Sequence, residues 1–290
     1  MLEVTFIGTS GSIPTTERGM PAISIKYESS LLLFDCGEGS QRQMMRFKTG
    51  FGSIDAIFIS HPHLDHYLGI FGLLETLRLS STSPKKLHLF LPPGMDEEFA
   101  VRYPFASVKK IGKGMDYQEK GFSVSAFPVK HCRGAFGFVF QEEPRLKFHE
   151  EKAKSLGLKG RMFKEIQKKG ELEVNSKKIK LEDITWAKPG RKIVYSGDCM
   201  YSESVIEAAK GADLLIHEGT FDSSRKAEAA ERSHSTVEDA AKVAKQANVK
   251  QLVLTHISPR YSDETENLLK EARKIFVNTI IAEDGMKLQV

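Results

Sequence analysis

The sequence predicts an α/β sandwich built around two internal sheets. Three observations carry this expectation: apolar runs of strand length recur along the chain, several are continuous rather than alternating, and helical patterns separate them. Continuous apolar runs suit strands covered on both faces. Strands that alternate with helices call for helices packed over the outer faces of the sheets.

In chain order, strand-like runs rich in Val, Ile, Leu and Phe occupy 2–7, 22–28, 30–35, 54–60, 86–91, 121–128 and 136–140. Further runs follow at 192–196, 213–217, 251–256, 277–282 and 286–290. Helical patterns fall at 39–48, 65–80, 202–210 and 264–275. The best-supported helix is 236–247, where Ser235 offers an N-cap and Glu238 stands three residues on, in capping-box position. Behind that cap, Val237, Ala240, Ala241, Ala244 and Ala247 repeat at helical spacing as a small-residue packing face. The pattern allows two broadly similar halves, 1–140 and 192–290.

Residues 141–191 break the rhythm. They are polar, lysine-rich and punctuated by Gly157, Gly160 and Gly170, with two short helical patterns and little that could form a core. This reads as an arm inserted into the main domain. Within it, 147–180 hold eleven Lys/Arg against five Glu, whereas the whole chain nets only +4. A near-neutral body with one strongly basic segment suits either a solvated helix pair or a surface for a polyanion.

Composition excludes several classes. The chain of 290 residues is 40% hydrophobic and 28% charged, the balance of a soluble globular protein. No run of eighteen apolar residues exists, so no membrane-spanning helix is expected. Met1 leads directly into a strand-like run rather than a signal peptide. Cys36, Cys132 and Cys199 are scattered singly, which suggests a reducing, cytoplasmic setting rather than a disulfide framework.

The chemistry-bearing residues cluster at strand ends. His61-Pro62-His63-Leu64-Asp65-His66 directly follows the strand Ile54–Ile59. In extended chain, His61 and His63 point to one side. Asp65 and His66 fall where a helix begins and project in a new direction. Such a layout serves two adjacent metal ions, and imidazole with carboxylate suits zinc, with manganese or iron as alternatives. His131, Asp198, the pair His217-Glu218, and His256 each follow a further strand-like run. Loops gather at strand C-termini, so together these residues read as a dinuclear centre.

At these residues the chain resembles the metallo-β-lactamase superfamily, and within it the ribonuclease Z family, over essentially its whole length. The matching segments are His61–His66, Phe34–Gln43, Tyr195–Asp198, His217–Phe221, His234-Ser235-Thr236 and His256–Tyr261. The resemblance implies an αβ/βα sandwich carrying an inserted basic arm at 141–191. It implies two zinc ions per chain: one on His61, His63 and His131, the other on Asp65, His66 and His256, with Asp198 bridging. Asp65 would also orient the attacking water, and Asp35 would steer a histidine ligand through its ring N–H. Glu218 with His234 would protonate the leaving 3′ oxygen. Arg18, Arg260, Lys159, Arg161, Lys164, Lys168 and Lys169 would contact the substrate.

That substrate would be precursor tRNA, cut to a 3′-hydroxyl on the tRNA and a 5′-phosphate on the trailer by a homodimer with no membrane association. The sequence departs from the family pattern at Thr16, where Lys is common, and at Gly19, where Asn is common. Two other readings use the same residues. A small-molecule phosphodiesterase or arylsulfatase-like hydrolase leaves the basic arm without a purpose, and a catalytically silent RNA-binding homologue has no need of seven ligands.

Overall fold

The computed structural model describes residues 1–95, 102–112, 114–261 and 264–290. Two seven-stranded sheets hold the main body, and each is covered by helices on its outer face. The first comprises β1 (Leu2–Gly8), β2 (Ala22–Tyr27), β3 (Ser30–Phe34), β4 (Ile54–Phe58), β5 (Leu87–Leu91) and β6 (Ala106–Lys110), and takes in the C-terminal strand Lys287–Gln289 beside β1. The second collects β7 (Asp116–Glu119), β8 (Phe122–Pro128) and β9 (Phe136–Glu142) with four strands from the C-terminal third.

Register explains how the two sheets hold together. Phe34, Phe58 and Phe90 are cross-strand neighbours on β3, β4 and β5. Their rings stack at 5.1 and 4.7 Å between centroids. Phe138 of β9 sits 5.6 Å from both Phe34 and Phe58, and Tyr117 of β7 lies 5.7 Å from Phe58. This aromatic layer is the inner core of the sandwich. Strand alternation then turns Leu33 and Ile57 outward, onto Met44 of the helix Ser40–Arg46 and Ile70, Leu73 and Leu74 of the helix Gly69–Ser80.

A second compact unit comprises 120–122 and 141–191. It contains an antiparallel ribbon of β10 (Arg145–Phe148) and β13 (Thr185–Lys188), a hairpin of β11 (Glu171–Val174) and β12 (Lys177–Lys180), and the helices Glu150–Ser155 and Met162–Lys169. Asn175 and Ser176 both take positive φ at the hairpin turn, the backbone that a tight two-residue connection requires. Contrary to expectation, this unit has its own core: Ala153, Leu158, Ile166, Val174, Ile179 and Ile184 are buried against one another. At its root Arg191 grips Glu142 with a forked pair of bonds at 2.6 and 2.9 Å. That grip holds the Glu142 carboxyl down at about 2.

The second sheet continues with β14 (Lys192–Tyr195), β15 (Leu214–Glu218), β16 (Leu252–Thr255) and β17 (Thr279–Ile281), all parallel. Its outer face is covered by the helices Glu203–Ala209 and Val237–Gln246.

Two further expectations change, and two strands went unread. The sheets do not follow the halves 1–140 and 192–290, because β7 to β9 join the C-terminal sheet and the last strand, β18 (Lys287–Gln289), returns to the first. The capping box at Val237–Gln246 is made by Thr236 and Asp239, not by Ser235 and Glu238. Ser235 is turned away, its hydroxyl donating to the Cys199 carbonyl at 2.6 Å. Strands β6 and β7 carry no apolar run to announce them, since Lys109, Lys110, Gln118 and Glu119 make their edges polar. Among the described residues no helix is long and apolar enough to cross a membrane.

Candidate metal centre

Every candidate ligand lies just past a strand C-terminus. His61, His63, Asp65 and His66 follow β4; His131 follows β8; Asp198 follows β14; His256 follows β16. The short helix Leu64–Tyr67 starts at His63 and swings Asp65 and His66 away from the histidine pair. The strands of each sheet that bear these loops are largely parallel, so their ends gather at one edge.

The donor atoms converge in two groups. His61 Nε2 and His131 Nε2 lie 3.0 and 3.1 Å from His63 Nδ1. Asp65 Oδ2 lies 3.5 Å from His66 Nε2 and 3.6 Å from His256 Nε2. Asp198 stands between the groups: its Oδ2 is 3.7 Å from His61 Nε2, 3.9 Å from His131 Nε2, 3.3 Å from His66 Nε2 and 3.2 Å from His256 Nε2. Burial pushes the Asp198 carboxyl up, but His256, His66 and His61 outweigh it and hold the group well below the usual carboxylate range.

Two close approaches of backbone make room for this. Gly197 has a φ of 59° and its missing side chain would press on Ser60. At Gly11 a Cβ would come within 2.7 Å of the His256 ring, so only glycine lets that loop pass. The next residue, Ser12, donates its backbone N–H to Asp65 Oδ2 at 3.2 Å.

The residues fit divalent metal. Buried polar atoms in folded proteins are almost always hydrogen-bonded. Here His66 Nε2, His256 Nε2 and Asp198 Oδ1 are buried with no such partner. Meanwhile the far nitrogens of four histidines are anchored. His66 Nδ1 donates to Asp35 Oδ2 at 2.8 Å, and His131 Nδ1 to the Ser233 carbonyl at 2.8 Å. His61 Nδ1 meets Ser60 Oγ at 2.9 Å, and Ser60 Oγ meets Asp35 Oδ2 at 2.9 Å. His256 Nδ1 meets Thr220 Oγ1 at 2.8 Å, and that hydroxyl donates to Glu218 Oε2 at 2.6 Å. Ring N–H groups fixed in this way leave the opposite lone pairs facing inward, as ligating histidines require.

Asp35 takes more than the His66 ring N–H. It also accepts from Ser60 N at 2.7 Å and from the Tyr195 hydroxyl at 2.6 Å. Burial and Asp35 itself push the Tyr195 phenol well above its ordinary value, so it remains a donor. None of Ser60, Tyr195, Thr220 and Ser233 has a role legible in the sequence: Tyr195 and Thr220 fall within matching segments, and Ser60 and Ser233 merely adjoin His61 and His234.

Glu218 and His234 meet as a pair. His234 Nδ1 donates to Glu218 Oε1 at 2.9 Å and lies 3.9 Å from Asp198 Oδ2. Glu218 is further locked by Cys199 N at 2.8 Å and Ser235 N at 3.1 Å. Burial pulls the His234 imidazolium down, but the Glu218 carboxylate more than offsets this and raises it to about 9. His217 is buried, bonded to the Glu218 carbonyl at 2.7 Å, and joins no metal-donor group among the described residues.

The expected substrate residues fare unevenly. Arg18 is turned inward: it is buried, and its Nη1 donates to Thr9 Oγ1 and to the Ala282 carbonyl, both at 2.6 Å. Arg260 forks onto Glu228 at 3.1 Å and lies over the Phe221 ring, 5.3 Å from its centroid. In the arm, Arg161, Lys164 and Lys168 share one stripe of the helix Met162–Lys169, away from the buried Ile166. Lys159 precedes that stripe, while Lys169 pairs with Glu165 at 2.7 Å.

Comparison with known proteins agrees with this architecture. The chain matches the β-lactamase superfamily domain over residues 31–149 and 167–257. It is 42% identical to a ribonuclease Z of Methanosarcina mazei, covering 100% of this chain and 98% of that one. It is 41% identical to a ribonuclease Z of Archaeoglobus fulgidus with the same coverage. Among solved structures, the short form of human tRNase Z superposes with a TM-score of 0.70 at 28% identity, covering 99% of this chain and 98% of that one. A metallo-β-lactamase fold protein of Bacillus subtilis reaches 0.74 at 19% identity over 100% of both chains, a likeness of fold.

Replacing Asp35 by Ala removes the acceptor for four donors at once. We expect divalent-metal affinity to fall by about 10- to 100-fold, the usual effect of losing a residue that orients a ligand. Competition with a chromophoric chelator measures it; unchanged affinity would assign Asp35 a purely structural role.

Proposed function

The chain belongs to the ribonuclease Z family, and we propose that it removes the 3′ trailer from precursor tRNA with two zinc ions held at the strand-end centre. The observation that carries this reading is the convergence of seven donor residues beside the His234–Glu218 pair. His61, His63 and His131 would hold one ion, Asp65, His66 and His256 the other, and Asp198 would touch both. Bound there, such ions supply Lewis acidity to the phosphate and to water.

The protein's own groups complete the reaction. Burial pushes the Asp65 carboxyl up, but His256 and His66 reverse this, so it stays ionised and can take a hydrogen bond or a proton from the attacking water. His234 is protonated at neutral pH and within reach of the same centre, so it can give its proton to the leaving 3′ oxygen. Glu218 holds that imidazolium in place. The products would be a 3′-hydroxyl on the tRNA and a 5′-phosphate on the trailer.

Arg161, Lys164, Lys168 and Lys159 have no ion-pair partner among the described residues, which supports a role for the arm in gripping tRNA phosphates. The three cysteines are free, as suits the cytoplasm. We also infer a homodimer: Leu64 and Leu68 are 58% and 39% exposed one helical turn apart, an apolar surface that a second copy would cover.

Purified protein is expected to carry close to two transition-metal ions per chain by elemental analysis. His63→Ala should lose both metal and turnover, and a wild type that is active and stable without metal would sink the reading.

His234→Ala should retain its metal yet turn over about 10²- to 10⁴-fold more slowly, the range of general acid catalysis. Retained metal with nearly unchanged turnover would remove His234 from the mechanism.

Replacing 147–180 by a short Gly/Ser linker should spare hydrolysis of a small aryl phosphodiester, because no donor residue falls within that segment. Binding of precursor tRNA should weaken sharply and its salt dependence should flatten, since lysines on phosphates act through counterion release. Equal loss on both substrates would make the arm a structural part of the body. Unchanged tRNA binding would make its lysines a solvated face.

A further inference from the structure

The ribbon at the root of the arm carries a second surface. Arg145 faces Lys188 across it, and Lys147 faces Trp186. Opposed residues share a face of a ribbon, as do residues two apart along one strand. Arg145, Lys147, Trp186 and Lys188 therefore stand on one face, and Leu146, Phe148, Thr185 and Ala187 on the other.

The two faces differ in kind. Phe148 packs edge-on against Phe163, 4.9 Å between centroids, and joins the arm's own core. Trp186 is 44% exposed, and the three cations around it are exposed as well. Arg145 reaches Glu142 at 3.2 Å. Lys147 and Lys188 have no carboxylate partner among the described residues, whereas Lys154, Lys169, Lys178 and Lys180 of the same unit are each ion-paired.

An exposed indole between two unpartnered cations answers to one class of ligand. A flat aromatic face stacks any nucleobase, and the flanking ammonium groups meet the phosphates on either side of it. An acidic peptide would use the cations and leave the indole idle. We propose that this face is a stacking platform for an unpaired nucleobase of the RNA substrate, separate from the Arg161–Lys164–Lys168 stripe. It rests on the RNA-processing reading and names residues that reading does not use.

Trp186 is the only tryptophan in the chain, so its emission reports on this face alone. Saturating the metal-loaded wild type with a short unstructured RNA, as followed by anisotropy of a labelled copy, should quench that emission and shield it from acrylamide. Polyglutamate, which offers charge without bases, should do neither. Trp186→Ala should weaken RNA binding by about 5- to 150-fold, the range for loss of one stacked base, and Trp186→Phe should recover most of it. Lys147→Ala and Lys188→Ala should each lower the salt slope of binding by about 0.7 log–log unit. Emission unmoved at RNA saturation, quenching by polyglutamate equal to that by RNA, or wild-type affinity in Trp186→Ala would each overturn the platform. Precursor-tRNA cleavage by the wild type is read in parallel: if cleavage proceeds while Trp186 stays silent, only the platform fails, and if cleavage is absent, the functional reading fails.

Discussion

One buried carboxylate organises the centre. Asp35 has no contact with solvent, and it accepts from Ser60 N, Ser60 Oγ, Tyr195 Oη and His66 Nδ1. Those donors come from the end of β4, from β14 in the opposite sheet and from the short helix carrying the ligands. A charge so deep is tolerated only when every lone pair is occupied. The requirement works in both directions: the four donors make Asp35 bearable, and Asp35 fixes where the two sheets and the helix meet. Its backbone sits at a φ of 56°, a conformation that aspartate accepts more readily than most residues.

A second carboxylate repeats the device. Thr220 passes a hydrogen bond from His256 to Glu218 much as Ser60 passes one from His61 to Asp35. In each case a hydroxyl accepts from a ring N–H and donates to a buried carboxylate. Both rings are thereby held in one tautomer, with the opposite nitrogen turned to the centre. Among the described residues, what remains unsatisfied, at His66, His256 and Asp198, is confined to the spot where a cation would sit. Each orphaned atom costs roughly 1–3 kcal/mol, so metal binding and folding stability are linked here.

Much of this was legible in the sequence because strand ends announce themselves. Apolar runs located the long strands, and His, Asp and Glu placed directly behind them marked the centre. Legibility failed where the signal was not apolar. Strands β6 and β7 are polar edges, and the arm's strands hide among lysines because a core of six small and aliphatic residues is spread across 153–184. Ser60 and Thr220 escaped notice because a hydroxyl beside a ligand is too common to stand out. The capping box was read one residue early for a similar reason: Ser235-Thr236 and Glu238-Asp239 offer two registers, and only the demand of the Cys199 carbonyl for Ser235 chooses between them. Arg18 misled because a sequence match cannot tell an arginine facing solvent from one that closes a loop from within.

The distribution of charge carries the argument one step further. Solvent-exposed charges are screened over about 8 Å at physiological salt, while buried pairs are screened much less. This chain keeps the two kinds apart. The centre's carboxylates and imidazoles are mostly buried and answer one another at 2.8 to 3.9 Å. The cations of 147–180 are exposed, and several have no ion-pair partner among the described residues. If the exposed cations grip phosphates, as proposed above, that binding would respond to ionic strength far more than the buried centre does. The arm brings its own few aliphatic residues, Ala153, Leu158, Ile166, Val174, Ile179 and Ile184, so a short and very basic stretch of chain can still bury a core.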